Sequence, residues 1–131
     1  MSTENKRILI AEDNQVMADV VRFNLERAGY QVTVTNTGKQ AFDTLQNDCF
    51  DLLITDFQMP EMNGDELCRE LRNDDRHADM KIILCSAKGY ELDIDHLQDE
   101  LDISKIIFKP FSPMQMKQTV SGILDSETVS L

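Results

Sequence analysis

Apolar residues along this 131-residue chain recur in two alternating rhythms. RILIA (7–11), QVTVT (31–35), DLLIT (51–55), KIILCS (81–86) and KIIFK (105–109) are short runs rich in Ile, Leu and Val, bounded by polar or turn residues, and they predict five strands. Between them the spacing changes to three and four. Met17, Val20, Val21, Leu25 and Ala28 form one such stripe, with Asn14 placed to cap its start and Gly29 to stop it. Further helical patterns cover about 39–47, 64–73, 90–101 and 113–124, the last introduced by Ser112 and Pro113 as N-cap and first-turn residue. Pro60 and Pro110 fall just beyond strands, where a missing N–H does little harm.

Strict alternation of strand and helix implies an α/β fold, because parallel neighbours need right-handed crossovers that lay helices on both faces of the sheet. RILIA, DLLIT and KIILC are almost continuously apolar, as strands buried on two faces should be, whereas QVTVT alternates like an edge. A doubly wound sheet follows. In such sheets ligands gather outside the carboxyl ends of the strands, where the winding reverses.

Composition narrows the function classes. The chain is 41% hydrophobic, enough for one core. We expect one domain over residues 1–124 and a short polar tail, DSETVSL, over 125–131. Thirteen Lys and Arg against 24 Asp and Glu leave a net charge of −11, which repels phosphate backbones and anionic membrane surfaces and argues against direct nucleic-acid binding. The polar MSTENK start is not a signal peptide, and no stretch approaches the roughly 20 apolar residues that span a bilayer, so a cytoplasmic location is expected. Cys49, Cys68 and Cys85 form neither a paired framework nor a CxxC motif and read as small apolar fillers. His77 and His96 lack metal-ligand spacing and read as solvated.

The strand ends carry the chemistry. The first strand ends in Glu12 and Asp13, the third in Asp56, the fourth in Ser86 and the fifth in Lys109; Thr35 and Asn36, at the end of the second, are given no role. If the first and third strands are neighbours, three carboxylates converge. Two unit charges about 4 Å apart repel by roughly 4 kcal/mol at an effective dielectric of about 20. Either a proton or a cation must relieve that strain, and an all-oxygen cluster with room for water suits Mg²⁺.

LIAEDN, LLITDFQMPEMNG, ILCSA and FKPF, in that order over about residues 7–124, resemble the receiver domain of bacterial two-component response regulators, of the chemotaxis-regulator type. The resemblance implies a flavodoxin-like sheet in the order 2-1-3-4-5 with five helices. It implies that Asp56 accepts a phosphoryl group from a phosphohistidine on a sensor histidine kinase or phosphotransfer protein. Asp13 would bind Mg²⁺ directly, Glu12 through water, and Asp56 and the backbone carbonyl of Gln58 would complete the protein's share of the coordination. Lys109 would pair with Asp56 and then with a phosphoryl oxygen, and Ser86 would donate to another. Lys109-Pro110 is commonly cis in the family. Gly64 would lend the loop after Asp56 a permissive backbone. The physics agrees with these roles, since phosphoryl transfer needs positioning and charge neutralisation more than covalent help, and a carboxylate needs no base to deprotonate it at neutral pH. Such a domain is a signalling switch that catalyses only its own phosphorylation and dephosphorylation.

Two departures bear on the switch. The family usually places Tyr or Phe where this chain has Ile106, with Phe108 on the same strand parity, and LDISK lacks the glycine often found before the fifth strand. Segment 91–102, ELDIDHLQDELD, carries six acids and no Lys or Arg; Tyr90, Ile94, Leu97 and Leu101 keep a core stripe and leave the acids outward, as a solvated face or as a dock for a basic patch on a downstream partner. In the family this fourth helix, with the fifth strand and fifth helix, forms the surface that changes on phosphorylation. The chain reads as a stand-alone receiver, and a piece of a hybrid kinase or larger regulator would look the same. A metal-dependent phosphatase with an aspartyl nucleophile would need an acid where Gln58 stands, and a flavin module would need a hydroxyl- or glycine-rich phosphate loop where AEDNQVM stands.

Overall fold

The five apolar runs pair into one parallel sheet of β1 (Arg7–Ala11), β2 (Gln31–Thr35), β3 (Leu52–Asp56), β4 (Lys81–Ala87) and β5 (Lys105–Lys109), in the spatial order β2-β1-β3-β4-β5. The computed structural model describes residues 6–87 and 91–125, apart from the side chains of Glu91, Leu92, Asp93 and Asp95. Tyr90, expected on the fourth helical stripe, and residues 126–131 of the expected tail lie outside the described residues. The helices are α1 (Gln15–Arg27), α2 (Gly38–Asn47), α3 (Gly64–Arg72), α4 (Glu91–Glu100) and α5 (Pro113–Leu124). No helix among the described residues is long and apolar enough to cross a membrane.

Period-two alternation sends the two sides of each strand into two cores. Leu9, Leu53, Ile82 and Leu84 pack with α2, α3 and α4 through Leu45, Leu67, Leu71, Ile94 and Leu97. Ile8, Ile10, Leu52, Ile54, Ile83 and Ile107 pack on the other face with α1 and α5 through Val21, Leu25, Met116 and Val120. Each fully buried Leu or Ile contributes about 1.5–3 kcal/mol by leaving water. The edge character expected of QVTVT is present, since its residues alternate between exposed and partly buried up to Thr35.

Local signals fix the helix starts. The side chains of Asn14, Thr37 and Ser112 accept the N–H groups of Met17, Gln40 and Gln115, each at 3.0 Å. Gly29 ends α1 at φ 104°, a left-handed conformation that glycine adopts without penalty.

The structure corrects several expectations. β3 begins at Leu52, one residue later than the run 51–55, and ends on Asp56. His77 is 1% exposed, not solvated: it sits in a 3₁₀ turn at Asp75–His77, where its Nε2 lies 2.8 Å from the Leu45 carbonyl oxygen. Cys49 is exposed, while Cys68 and Cys85 are buried fillers as expected. On the acidic segment, Ile94, Leu97 and Leu101 are buried and Asp99, Glu100 and Asp102 are exposed.

Candidate functional site

The loops after β1 and β3 and the ends of β3, β4 and β5 meet at the carboxyl edge of the sheet. Asp56 and Lys109 continue the alternation of Leu52, Ile54 and Ile107 toward the α1 and α5 face, while Ser86 continues that of Ile82 and Leu84 toward the other. The register places Asp56 opposite Cys85, and Ser86 and Ala87 opposite Phe108 and Lys109. An open cleft of about 280 Å³ results, lined by Asp13, Asp56, Gln58, Ser86 and Lys109 among others.

Carboxylate oxygens of Glu12, Asp13 and Asp56 lie within 4.8 Å of one another. Glu12 and Asp56 are each 6% exposed, whereas Asp13 is exposed and has no hydrogen-bond partner among the described residues. Lys109 Nζ stands 2.8 Å from Asp56 Oδ1 and 3.1 Å from Glu12 Oε1. The Asn14 N–H donates to Glu12 Oε2 at 3.0 Å. Ser86 is 3% exposed, and its hydroxyl reaches the Ala87 carbonyl at 3.3 Å.

Burial and the neighbouring Glu12 push the Asp56 carboxyl up to about 8, with Lys109 opposing them. Burial also works to raise Glu12, but its hydrogen bond with Asp56, the Asn14 N–H and Lys109 outweigh that and hold it below the usual carboxylate range. Burial acts to lower Lys109, and the contacts with Asp56 and Glu12 overcome it and raise the ammonium. Without a cation, burial and Glu12 thus favour the protonated form of Asp56, a proton being one of the two reliefs expected where acids converge. The donor set fits a small hard cation: one exposed, unpartnered carboxylate, two buried ones and an open cleft that leaves space for water.

The loop after Asp56 is tightly fastened. Phe57 N–H donates to the Cys85 carbonyl at 2.7 Å and Gly64 N–H to the Phe57 carbonyl at 2.7 Å. A Cβ on Gly64 would come within 2.0 Å of the Asp56 carbonyl oxygen, so the glycine serves close approach and not the backbone freedom expected of it. The Lys109-Pro110 bond is cis. Ile106 and Phe108 are both partly buried against the core beneath α4.

Sequence reasoning missed two contributors. Asn36, given no role, donates its amide to the Glu12 carbonyl at 3.1 Å and ties β2 to the acid loop. Asn63 accepts the Met59 N–H at 3.1 Å. Asparagine after a strand, or before a helical stripe, is the signal that could have found them.

Comparison with known proteins places this arrangement among relatives. A family model described as the response regulator receiver domain matches residues 8–121. The alkaline phosphatase synthesis transcriptional regulatory protein PhoP of Bacillus subtilis is 32% identical over 120 residues, covering 92% of this chain and 49% of that protein. Response regulator SaeR of Staphylococcus aureus is 32% identical over 117 residues, covering 89% and 50% respectively. The chain thus spans about half the length of the curated relatives it matches. The receiver domain of the Francisella response regulator 1452 has the same fold at a TM-score of 0.81 and 27% identity, covering 95% of this chain and 99% of that one.

Proposed function

The chain belongs to the response regulator receiver family, and from that premise we propose that Asp56 is its phosphoacceptor, in a domain spanning residues 1–124. The observation that carries the reading is a buried aspartate held by Lys109 at the edge of a three-acid cluster that opens into a cleft. One Asp56 Oδ attacks the phosphorus of a phosphohistidine. A P–O bond forms as the P–N bond breaks, and the bonding pair leaves with the imidazole, which takes up a proton. Lys109 moves from the carboxylate to a phosphoryl oxygen, and the Ser86 hydroxyl turns from the Ala87 carbonyl to donate to another.

Mg²⁺ would be held by Asp13, Asp56 and the Gln58 carbonyl, with Glu12 acting through water. Bound there, it would supply positive charge against the phosphoryl oxygens and favour the ionised form of the acids. The donor is a sensor histidine kinase or phosphotransfer protein, and the phosphoryl group adds about −1.5 to −2 charges to a site whose donors move inward. The output is the surface of α4, β5 and α5, where the exposed acid Asp99, beside the Arg69-paired Glu100, suits a partner with a basic patch; binding that weakens steeply with salt is its signature, and salt-insensitive binding refutes it.

Phosphoramidate, whose P–N bond matches that of phosphohistidine, tests the core of the proposal. With Mg²⁺ the native chain should gain one phosphoryl group by intact mass and Asp56→Asn none at that position. Equal labelling of both, or none of the native chain, rejects Asp56 as the acceptor.

A further inference from the structure

The loop between β3 and α3 carries a side chain whose bond falls on one particular peptide unit. Asn63 Oδ1 accepts the N–H of Met59 at 3.1 Å. In a trans peptide the N–H and the preceding C=O point in opposite directions. Holding the Met59 N–H toward Asn63 therefore turns the Gln58 carbonyl away from α3, and Gln58 borders the cleft with Asp13, Asp56 and Lys109. Four further bonds help to fix the course of this loop: Phe57 N–H to Cys85, Gly64 N–H to Phe57, Met62 N–H to Pro60 at 2.8 Å, and Asn63 N–H to Glu66 Oε1 at 2.9 Å. Met59 is buried, which anchors the residue after the carbonyl.

We propose that Asn63 is a positioning residue for phosphoryl transfer, acting through the Gln58–Met59 peptide to aim the Gln58 carbonyl into the acidic cleft as a cation ligand. The inference rests on the function proposed above. The Asn63 side chain also forms the capping box of α3 with Glu66, and that role in starting the helix is separable because removing the Glu66 side chain breaks the box without touching the bond to Met59.

Isothermal titration of Mg²⁺ into the full, unphosphorylated chain supplies the test, with thermal unfolding measured in parallel. Asn63→Ala and the near-isosteric Asn63→Leu lose the acceptor and should weaken Mg²⁺ binding by about 10-fold or more, the usual loss when a ligand's outer support is removed. Asn63→Asp keeps an acceptor oxygen and should bind close to the native affinity. Glu66→Ala should lower the melting temperature while leaving Mg²⁺ affinity in place. Native affinity in either Asn63→Ala or Asn63→Leu, measured where the variant is folded, overturns the inference, and so does an equal loss in Glu66→Ala. A native chain that takes up no Mg²⁺ overturns the function itself, an outcome distinct from native binding that ignores the Asn63 substitutions.

Discussion

Asp56 is pulled two ways, and the balance has a pH signature. Burial and Glu12 raise its carboxyl to about 8 from the 3.8 expected in an unfolded chain, although Lys109 works against them. Between those two values the folded chain holds a proton that the unfolded chain has released. Stability in Mg²⁺-free buffer therefore falls as pH rises through that window. The lowered Glu12 acts oppositely, but only near and below its ordinary 4.5. Melting temperature should decline from about pH 5 to about 8 in the native chain and stay flatter in Asp56→Asn, while Mg²⁺ affinity climbs over the same range as the ion displaces the proton. A native profile parallel to that of Asp56→Asn contradicts the shared proton. At this scale the acids, Ser86 and Lys109 were legible, because each is a polar residue at the end of an apolar run. His77 and Asn63 were not. The first is defined by the carbonyl of Leu45, 32 positions away, and the second by the direction of a single N–H.

Helices and strands were easier to read than the joints between them. Asn14, Thr37 and Ser112 cap because their oxygens reach N–H groups three residues on, which is local and visible in sequence. The Arg72 guanidinium is the opposite case. It donates to the carbonyls of Leu101 at 2.7 Å, Asp102 at 2.9 Å, Ala78 at 3.1 Å and His77 at 3.2 Å. One side chain of α3 thus closes the carbonyl end of α4 and of the 3₁₀ turn, and Arg69 pairs with Glu100 beside it. Asp102 turns the chain at φ 52°, so this clamp helps to hold a conformation that the residue itself disfavours. Arg72→Ala should cost about 2–3 kcal/mol, since bonds from a charged donor are lost together. Arg72→Lys should recover little of it, because an ammonium cannot reproduce the planar fork. Urea unfolding reads the effect as a lower midpoint at unchanged slope, and a midpoint within error of the native one refutes the clamp.

A net charge of −11 makes the whole molecule respond to any cation, which obscures the acidic cleft unless the two responses are separated. General screening relieves self-repulsion spread over the surface, and K⁺ supplies it as well as Mg²⁺ at equal ionic strength. Occupation of a site that exists only in the folded chain adds a further increment that grows with the logarithm of ion concentration. At 100 times the dissociation constant it is about 2.7 kcal/mol, or roughly 10 °C in melting temperature for a chain of this size. We therefore expect Mg²⁺ to raise the melting temperature beyond matched K⁺, and Asp13→Asn to lose that excess while keeping the K⁺ response. Asp13 is the apt residue to remove because it is exposed and unpartnered, so its substitution leaves Lys109, Glu12 and Asp56 in their contacts. It also relieves repulsion within the cluster, and the variant should be at least as stable as the native chain without Mg²⁺. Equal stabilisation of the native chain by both ions would mean that the three acids act as surface charge alone.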